Sequence, residues 1–397
     1  MSGSVQQPVL DFANTQIAFS HLSNFRLRQA ALLFRVIGQP LVVKMGPSLA
    51  DFSIKWHLPV ETLIRKTIFS HFCGGESIEA CLPRIEELAR FHVGTILDFA
   101  REGGGAEVEF DAVRDEIMRT IDMASKHRSI PFAVFKPSAL ISLDVLAKKD
   151  KGSTLSSAEQ AAWQRFQGRF AAICQHALKH SVRIMVDAEE SWIQDSVDAC
   201  AAEQMRLCNR SQAIVFNTVQ LYRHDRLAYV QAAYSAAQAE GYYLGVKLVR
   251  GAYLEKENRV AAAEGRPSPL NPNKAATDAL YDQTLRFCIE HIDRIAWVAG
   301  THNEASVLLL TQLMRGKKIE PGDSRIHFAQ LLGMSDNISY NLAAAGYNVA
   351  KYVPYGTVAE LLPYLTRRAQ ENSSVAGQSS RELRLLQAEM SRRGLRT

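Results

Sequence analysis

Apolar positions along most of this chain follow two alternating rhythms. Short, almost wholly apolar runs rich in β-branched side chains alternate with longer stretches whose apolar residues recur every three or four positions. The short runs are VGTILDF (93–99), PFAVFKP (131–137), RIMVDAE (183–189), AIVFNTVQ (213–220), YLGVKLVRG (243–251), IAWVAGTHN (295–303), IHFAQLLG (326–333) and NVAKYVPYG (348–356). Between them, 156–180, 191–209, 223–240 and 273–292 read as helices. A strand with one wet face alternates apolar with polar. A run that is apolar throughout is buried on both faces, as in a parallel sheet covered by helices. Eight strand-then-helix units in a row predict the α/β class and a (βα)8 barrel.

Helix-start chemistry supports these divisions. Ser156 with Glu159, and Thr357 with Glu360, have the spacing of capping boxes, and Thr301 or Asn303 precedes a helix over 304–315. Residues 1–90 carry helical periodicity in FRLRQAALLFRVIG and VETLIRKTIFSHF and are expected to form an N-terminal arm. The barrel is expected over 91–372. A tail over 373–397 follows, in which a Ser-rich linker leads to a charged amphipathic helix, solvated or lid-like. The loop 264–273, with three prolines, is irregular and long for a barrel.

Composition narrows the function classes. The formal net charge of +5 is spread along the chain, without the basic and aromatic interleaving of a nucleic-acid groove. The six cysteines form no CxxC pair, which excludes a zinc knuckle and fits a reducing compartment. No signal or transit pattern opens the chain, and its longest apolar stretch is broken by Arg35, Pro40 and Lys44, so a cytoplasmic protein is expected. No GxGxxG follows a strand and no phosphate-binding GxxxxGK[ST] is present. Neither H-x-H nor HExxH occurs, and Asp187, Glu189 and Glu190 lack the further oxygens that Mg²⁺ needs, so no metal is expected.

Barrel chemistry sits at the carboxyl ends of the strands. The residues there are Asp98, Lys136, Asp187 with Glu189, Gln220, Lys247 with Arg250, Thr301 with His302 and Asn303, Gln330, and Tyr352 with Tyr355. Lys247 and Arg250 stand in an otherwise apolar strand, and buried cations require a counter-charge or a ligand. In the helix after the eighth strand, Val358, Leu361, Leu362, Leu365 and Ala369 form an apolar stripe. Tyr364, Arg367, Arg368 and Glu371 fall on another face. Pro363 inside that helix implies a kink. Two adjacent guanidiniums suit a carboxylate, with Tyr352, Tyr355 and Tyr364 as aromatic walls.

The segments GVKLVRGAYLEKE, THNEASV, FAQLLGM and KYVPYGTVAELLPYLTRRAQENSSV, in this order, resemble the proline dehydrogenase family of flavoenzymes over residues 60–375. The resemblance implies a distorted (βα)8 barrel with a final helix over its mouth and FAD as cofactor, in a stand-alone, monofunctional enzyme. The implied reaction oxidises L-proline to Δ1-pyrroline-5-carboxylate, with hydride passing from C5 to flavin N5 and electrons passing to a membrane quinone. The N-terminal arm would then serve peripheral attachment at the inner face of a membrane. By the same resemblance, Lys247 stands beside the flavin, where many members carry arginine. Val249, Arg250 and Gly251 follow the flavin and its pyrophosphate, Ala188 and Gln220 touch the isoalloxazine edge, Thr301, His302 and Asn303 reach toward the adenosine, and Tyr253, Gln330 and Leu331 are further cofactor-binding positions. Leu254 replaces a tryptophan seen in some members. Substrate-binding roles fall to Lys136, Tyr352, Tyr364, Arg367 and Arg368, with Glu371 bracing the arginine pair or the flavin side chain. Asp187 and Lys247 are the catalytic candidates, Asp187 ordering Lys136 or handling a proton. A hydroxyproline dehydrogenase is the alternative within the family, although the Tyr352 ring fills the space a 4-hydroxyl needs. A Schiff-base aldolase using Lys136 or Lys247 is the alternative outside it.

Overall fold

Strands buried on both faces need strands at either side and helices outside, and the chain meets that need by closing on itself. The computed structural model describes residues 10–37, 39, 65–101, 105–374 and 378–396. Among them, eight parallel strands close in sequence order into a barrel. They are β1 Val93–Phe99, β2 Phe132–Phe135, β3 Arg183–Val186, β4 Val215–Gln220, β5 Leu244–Val249, β6 Ile295–Gly300, β7 Ile326–Leu331 and β8 Val349–Tyr355. Each expected apolar run contains one strand, and the (βα)8 class is borne out.

The longer helices are α1 Asn24–Ile37, α2 Leu82–Ala89, α3 Glu107–Lys126, α4 Leu143–Asp150, α5 Ser157–Lys179, α6 Ser191–Cys208, α7 Arg226–Glu240, α8 Leu254–Ala263, α9 Lys274–Glu290, α10 Glu304–Gly316, α11 Asp336–Ala344, α12 Val358–Ser374 and α13 Gln378–Arg392. Their starts follow the expected chemistry. At the head of α5, Ser156 N donates to Glu159 Oε2 at 2.8 Å while Glu159 N donates to Ser156 Oγ at 3.3 Å. Thr357 and Glu360 make the same reciprocal pair before α12. Asn303, one of two expected caps for α10, accepts from Ala305 N and Ser306 N. The expected helical segment over 60–64, glycines within 102–104 and the Glu371 side chain lie outside the described residues.

Packing divides the chain into two compact units, Met1–Ala100 with Gln330–Thr397, and Arg101–Ala329. In the unit over 101–329, aromatic edges fill the amino-terminal end of the strands. Phe132 meets Phe216 and His327 edge-on, with ring centroids 5.3 and 4.9 Å away. Burial pulls the His327 pKa down to about 3, so this imidazole stays neutral in its apolar surroundings. Gly245 permits the β4–β5 approach: a Cβ there would stand 2.4 Å from Val215 O. Asn209, just past α6, joins that helix to the starts of β4 and β5. Its side-chain amide donates to Val215 O and Tyr243 O, and its oxygen accepts from Ile214 N and Val215 N, all at 2.8–2.9 Å.

In the other unit, Leu27, Ala30, Phe34 and Ile37 of α1 pack with Leu361 and Leu365 of α12 and Leu386 and Met390 of α13. This corrects the expectation of a solvated or lid-like tail. Leu383, Leu386 and Met390 recur at helical spacing and dock, while the buried charges of α13 find partners. Glu389 is fully buried and binds both Arg392 and Arg393, and Arg393 donates onward to Phe19 O and Leu22 O at 2.7 Å each. Lys351 of β8, also fully buried, pairs with Asp336 at 2.7 Å and donates to Met334 O. Burial alone would raise the Asp336 carboxyl, but the Lys351 ammonium holds it well below the usual carboxylate range.

Replacing Asn209 with alanine strands several buried backbone groups at once. Asn209→Ala is expected to lower unfolding free energy by roughly 3 kcal/mol, read as a fall in the urea midpoint at constant slope. A loss under about 0.5 kcal/mol would show that water replaces the amide.

Candidate active site

Parallel strands carry their carboxyl ends to one end of a barrel, and there the unit over 101–329 gathers charge. Lys136 follows β2, Asp187 follows β3 and Lys247 lies within β5 beside Thr218 and Val298. Asp187 N donates to Phe135 O at 2.9 Å, extending the β2–β3 pairing one step and fixing where its carboxylate stands. One Asp187 oxygen binds the Lys247 ammonium, and the other lies 3.5 Å from Lys136 Nζ. Two ammoniums thus share the Asp187 carboxylate in a nearly dry setting. The sequence pointed Lys247 and Arg250 toward a ligand, whereas each already has a protein carboxylate. Ions removed from water are costly alone, so the fold supplies the counter-charge.

Arg250 is held on every nitrogen. Nε donates to Asp278 at 2.6 Å, Nη1 to Thr301 Oγ1 at 2.7 Å and Nη2 to Ser306 Oγ at 3.0 Å. Its guanidinium also lies 4.4 Å from the Tyr281 ring centroid, a cation–π contact. Burial would raise the Asp278 carboxyl, but hydrogen bonds from Lys274 and Arg250 hold it low. Thr301 and Asn303, expected to face a cofactor, hold Arg250 and cap α10, and His302 is half-buried between them. Gly251 has φ +128°, and a Cβ there would stand 2.5 Å from the Tyr222 ring, so this turn requires glycine. The segment 249–254 stays open: Val249, Arg250 and Tyr253 are partly exposed, and Gly251 and Leu254 are exposed.

Gln220 and Ala188 sit beside Glu189. Gln220 is buried, and its amide donates to Glu189 O at 2.6 Å, while Ala188 is partly exposed. Glu189 accepts from Ser138 N at 2.8 Å and from the Ser138 hydroxyl. Burial first, and the nearby Glu190 charge, raise its pKa to about 7 against the pull of Ser138 and Lys136. Sequence reading placed Glu189 beyond a strand end but gave it no role, because Ser138 is 51 residues away.

The unit over 1–100 and 330–397 holds the other candidates. Gln330 is buried and accepts from Ser339 Oγ at 2.9 Å, and Leu331 is partly buried. Tyr352 is half-buried on β8. Tyr355 packs on Phe99, centroids 5.4 Å apart, and belongs to the core rather than to a site wall. α12 runs unbroken through Pro363, and its buried positions differ from those expected. Tyr364 joins the apolar cluster with Val358, Leu361 and Leu365, and Arg368 is buried with its guanidinium 5.3 Å from the Tyr364 ring centroid. The spacing 358, 361, 365, 368 keeps one helical face, so Arg368 continues the apolar stripe and Arg367 stands half-buried beside it.

Residues 81–381 match the family model described as proline dehydrogenase, about three quarters of the chain. The chain belongs to the proline dehydrogenase family. It is similar to the carbapenem antibiotics biosynthesis protein CarD of Pectobacterium carotovorum subsp. carotovorum, 37% identical over 324 residues that cover 82% of this chain and 84% of that protein. Human mitochondrial proline dehydrogenase 1 is 40% identical over 248 residues, 62% of this chain but 41% of its own length. Xenopus laevis hydroxyproline dehydrogenase is 28% identical over 425 residues, covering 98% of this chain and 91% of that protein. Among solved structures, Bdellovibrio bacteriovorus proline utilization A superposes with a TM-score of 0.71 at 20% identity, covering 92% of this chain and 37% of that one, which bears on the fold. The chain spans about two fifths of the length of the Caenorhabditis elegans and human mitochondrial relatives. No described helix is long and apolar enough to cross a membrane.

The raised Glu189 carboxyl sets a pH dependence in this family member. A carboxyl raised on folding favours the folded state fully below its ordinary value of 4.5, and that contribution is lost as pH climbs through about 7. Glu189→Gln removes the effect. The variant's stability relative to the parent, from urea unfolding, should rise by about 2–3 kcal/mol between pH 5 and pH 8. A pH-independent difference would place the titration elsewhere.

Proposed function

We propose that this chain oxidises L-proline to Δ1-pyrroline-5-carboxylate with FAD as its redox cofactor, the electrons then passing to a membrane quinone. The observation that carries the reading is the pairing of Lys136 and Lys247 with one carboxylate, Asp187, at the strand ends of a proline dehydrogenase family barrel. The residues present fit FAD by the chemistry of the donor set. Lys247 and Arg250 supply fixed positive charge, and the open glycine turn at 251 lets a pyrophosphate approach the backbone. Val249, Arg250, Gly251 and Tyr253 would hold that end, and Ala188 and Gln220 the ring. When bound, FAD supplies the acceptor for the hydride that leaves proline C5.

The chain's own residues do the remaining work. Positive charge preset by Lys247 and Lys136 favours the negative charge that builds on reduction, and costs no reorganisation because Asp187 already orients both ammoniums. Asp187 therefore acts by positioning the lysines. Arg367 and Arg368 are proposed to grip the substrate carboxylate, with Tyr364 fixing the plane of the Arg368 fork. The amine must be unprotonated for its lone pair to form the C=N bond as hydride departs, so the rate should rise with pH. The exposed side of α1 carries Phe25, Leu32 and Val36 among Arg28 and Arg35, a pattern that supports peripheral membrane contact. Both lysines are committed to one carboxylate, which counts against a Schiff-base role.

A second reading, oxidation of 4-hydroxyproline, is favoured by the hydroxyproline dehydrogenase match, which covers nearly the whole chain. The ring of Tyr352 argues for proline, and a higher kcat/KM for 4-hydroxyproline than for proline would reverse that preference.

Two further outcomes are expected. The purified protein should be yellow and bleach on adding L-proline, and a protein that takes up no FAD and ignores proline overturns the reading. Arg368→Met should raise KM for proline roughly 30- to 1,000-fold, equal to about 2–4 kcal/mol for a lost charged hydrogen bond, with flavin content unchanged. An unaltered KM would move the carboxylate site elsewhere.

A further inference from the structure

A third charged cluster lies at the opposite end of β2 and β3 from Lys136 and Asp187. Asp122 stands one turn before the end of α3, His176 occupies the last turn of α5, and His180 is the residue that closes it. Helices α3 and α5 lead into the amino ends of β2 and β3, so this is the end of the barrel without strand carboxyl termini. His176 and His180 are four apart, which puts both imidazoles on one helix face. Both turn Nε2 toward the same Asp122 oxygen, at 2.7 Å for His176 and 3.9 Å for His180. The rings lie 4.4 Å apart at an angle of 45°. One hydrogen bond accounts for His176. It leaves unexplained why a second imidazole aims at the same oxygen from beyond bonding distance.

We propose that Asp122, His176 and His180 form a binding site for a divalent metal ion of the zinc type, joining α3 to α5. Two imidazoles and a carboxylate are donors that Zn²⁺ accepts, with water completing a tetrahedron. Coordination at about 2.0–2.2 Å sets neighbouring donors about 3.4 Å apart. The three donor atoms already lie within 4.8 Å of one another, a gap that side-chain rotation closes. All three side chains are partly exposed, at 44, 23 and 31%, so an ion has an entry path. The negative ends of two helix dipoles flank the cluster and favour a cation. Neither an H-x-H nor an HExxH search describes this pair, and Asp122 is 54 residues from His176 in sequence, so only the packing of α3 on α5 assembles the three. The cysteines do not compete: all six are buried, and burial raises the thiol pKa of Cys174, Cys200 and Cys208, those nearest in sequence to the cluster.

The test uses the full chain without an affinity tag, stripped with chelator and titrated with ZnCl2 by calorimetry. One Zn²⁺ per chain should bind, raise the melting temperature and, with Co²⁺ in its place, give the visible absorption of a four-coordinate ion. His180→Asn should weaken Zn²⁺ binding about tenfold or more, as should Asp122→Asn, with circular dichroism and redox activity unchanged. Absence of Zn²⁺ binding, or undiminished binding in both folded variants, overturns the site. If a variant fails to fold, the Co²⁺ spectrum of the parent chain decides: absorption without four-coordinate character overturns it. None of these readings depends on the reaction the barrel catalyses.

Discussion

The charge arrangement at the strand ends of this barrel depends on how Asp187 is shared. A single carboxylate between Lys136 and Lys247 offsets part of the cost of holding two ammoniums out of water at the strand ends. The backbone of β3 sets this arrangement, because Asp187 N still pairs with Phe135 O one step past the strand. Arg250 follows the same logic, with Asp278, Thr301 and Ser306 each holding one of its nitrogens so that its guanidinium is fixed in direction.

How much of this was legible in the sequence depended on how local each signal was. Strands were legible because burial on both faces removes polar residues from a run, as in IAWVAG or FAVF, and that signature needs no partner to be identified. The capping boxes at Ser156 and Thr357 were legible for the same reason, being four-residue events. The partners of charges were not. Asp187 lies 60 residues before Lys247, Glu189 lies 51 after Ser138, and no periodicity connects them.

The face of α12 was misread for a different reason. Spacings of three, one and three group Tyr364, Arg367, Arg368 and Glu371 on a face apart from the apolar stripe. Arg368 is instead buried in line with that stripe, its guanidinium over the Tyr364 ring. The tail was misread likewise: its many charges suggested solvent, while Glu389 and Arg393 hold the helix against the carbonyls of Phe19 and Leu22.

That last clasp has a consequence for how the molecule is made. α1 leaves the ribosome ahead of the whole barrel, but α13, which covers it, is made only after the barrel's last strand. At about 5–20 residues per second, Phe34 and Leu27 wait for some tens of seconds before Leu386 and Met390 exist to shield them. During that interval the nascent arm offers an uncovered apolar stripe, a binding surface for chaperones, and its final packing is a post-translational event.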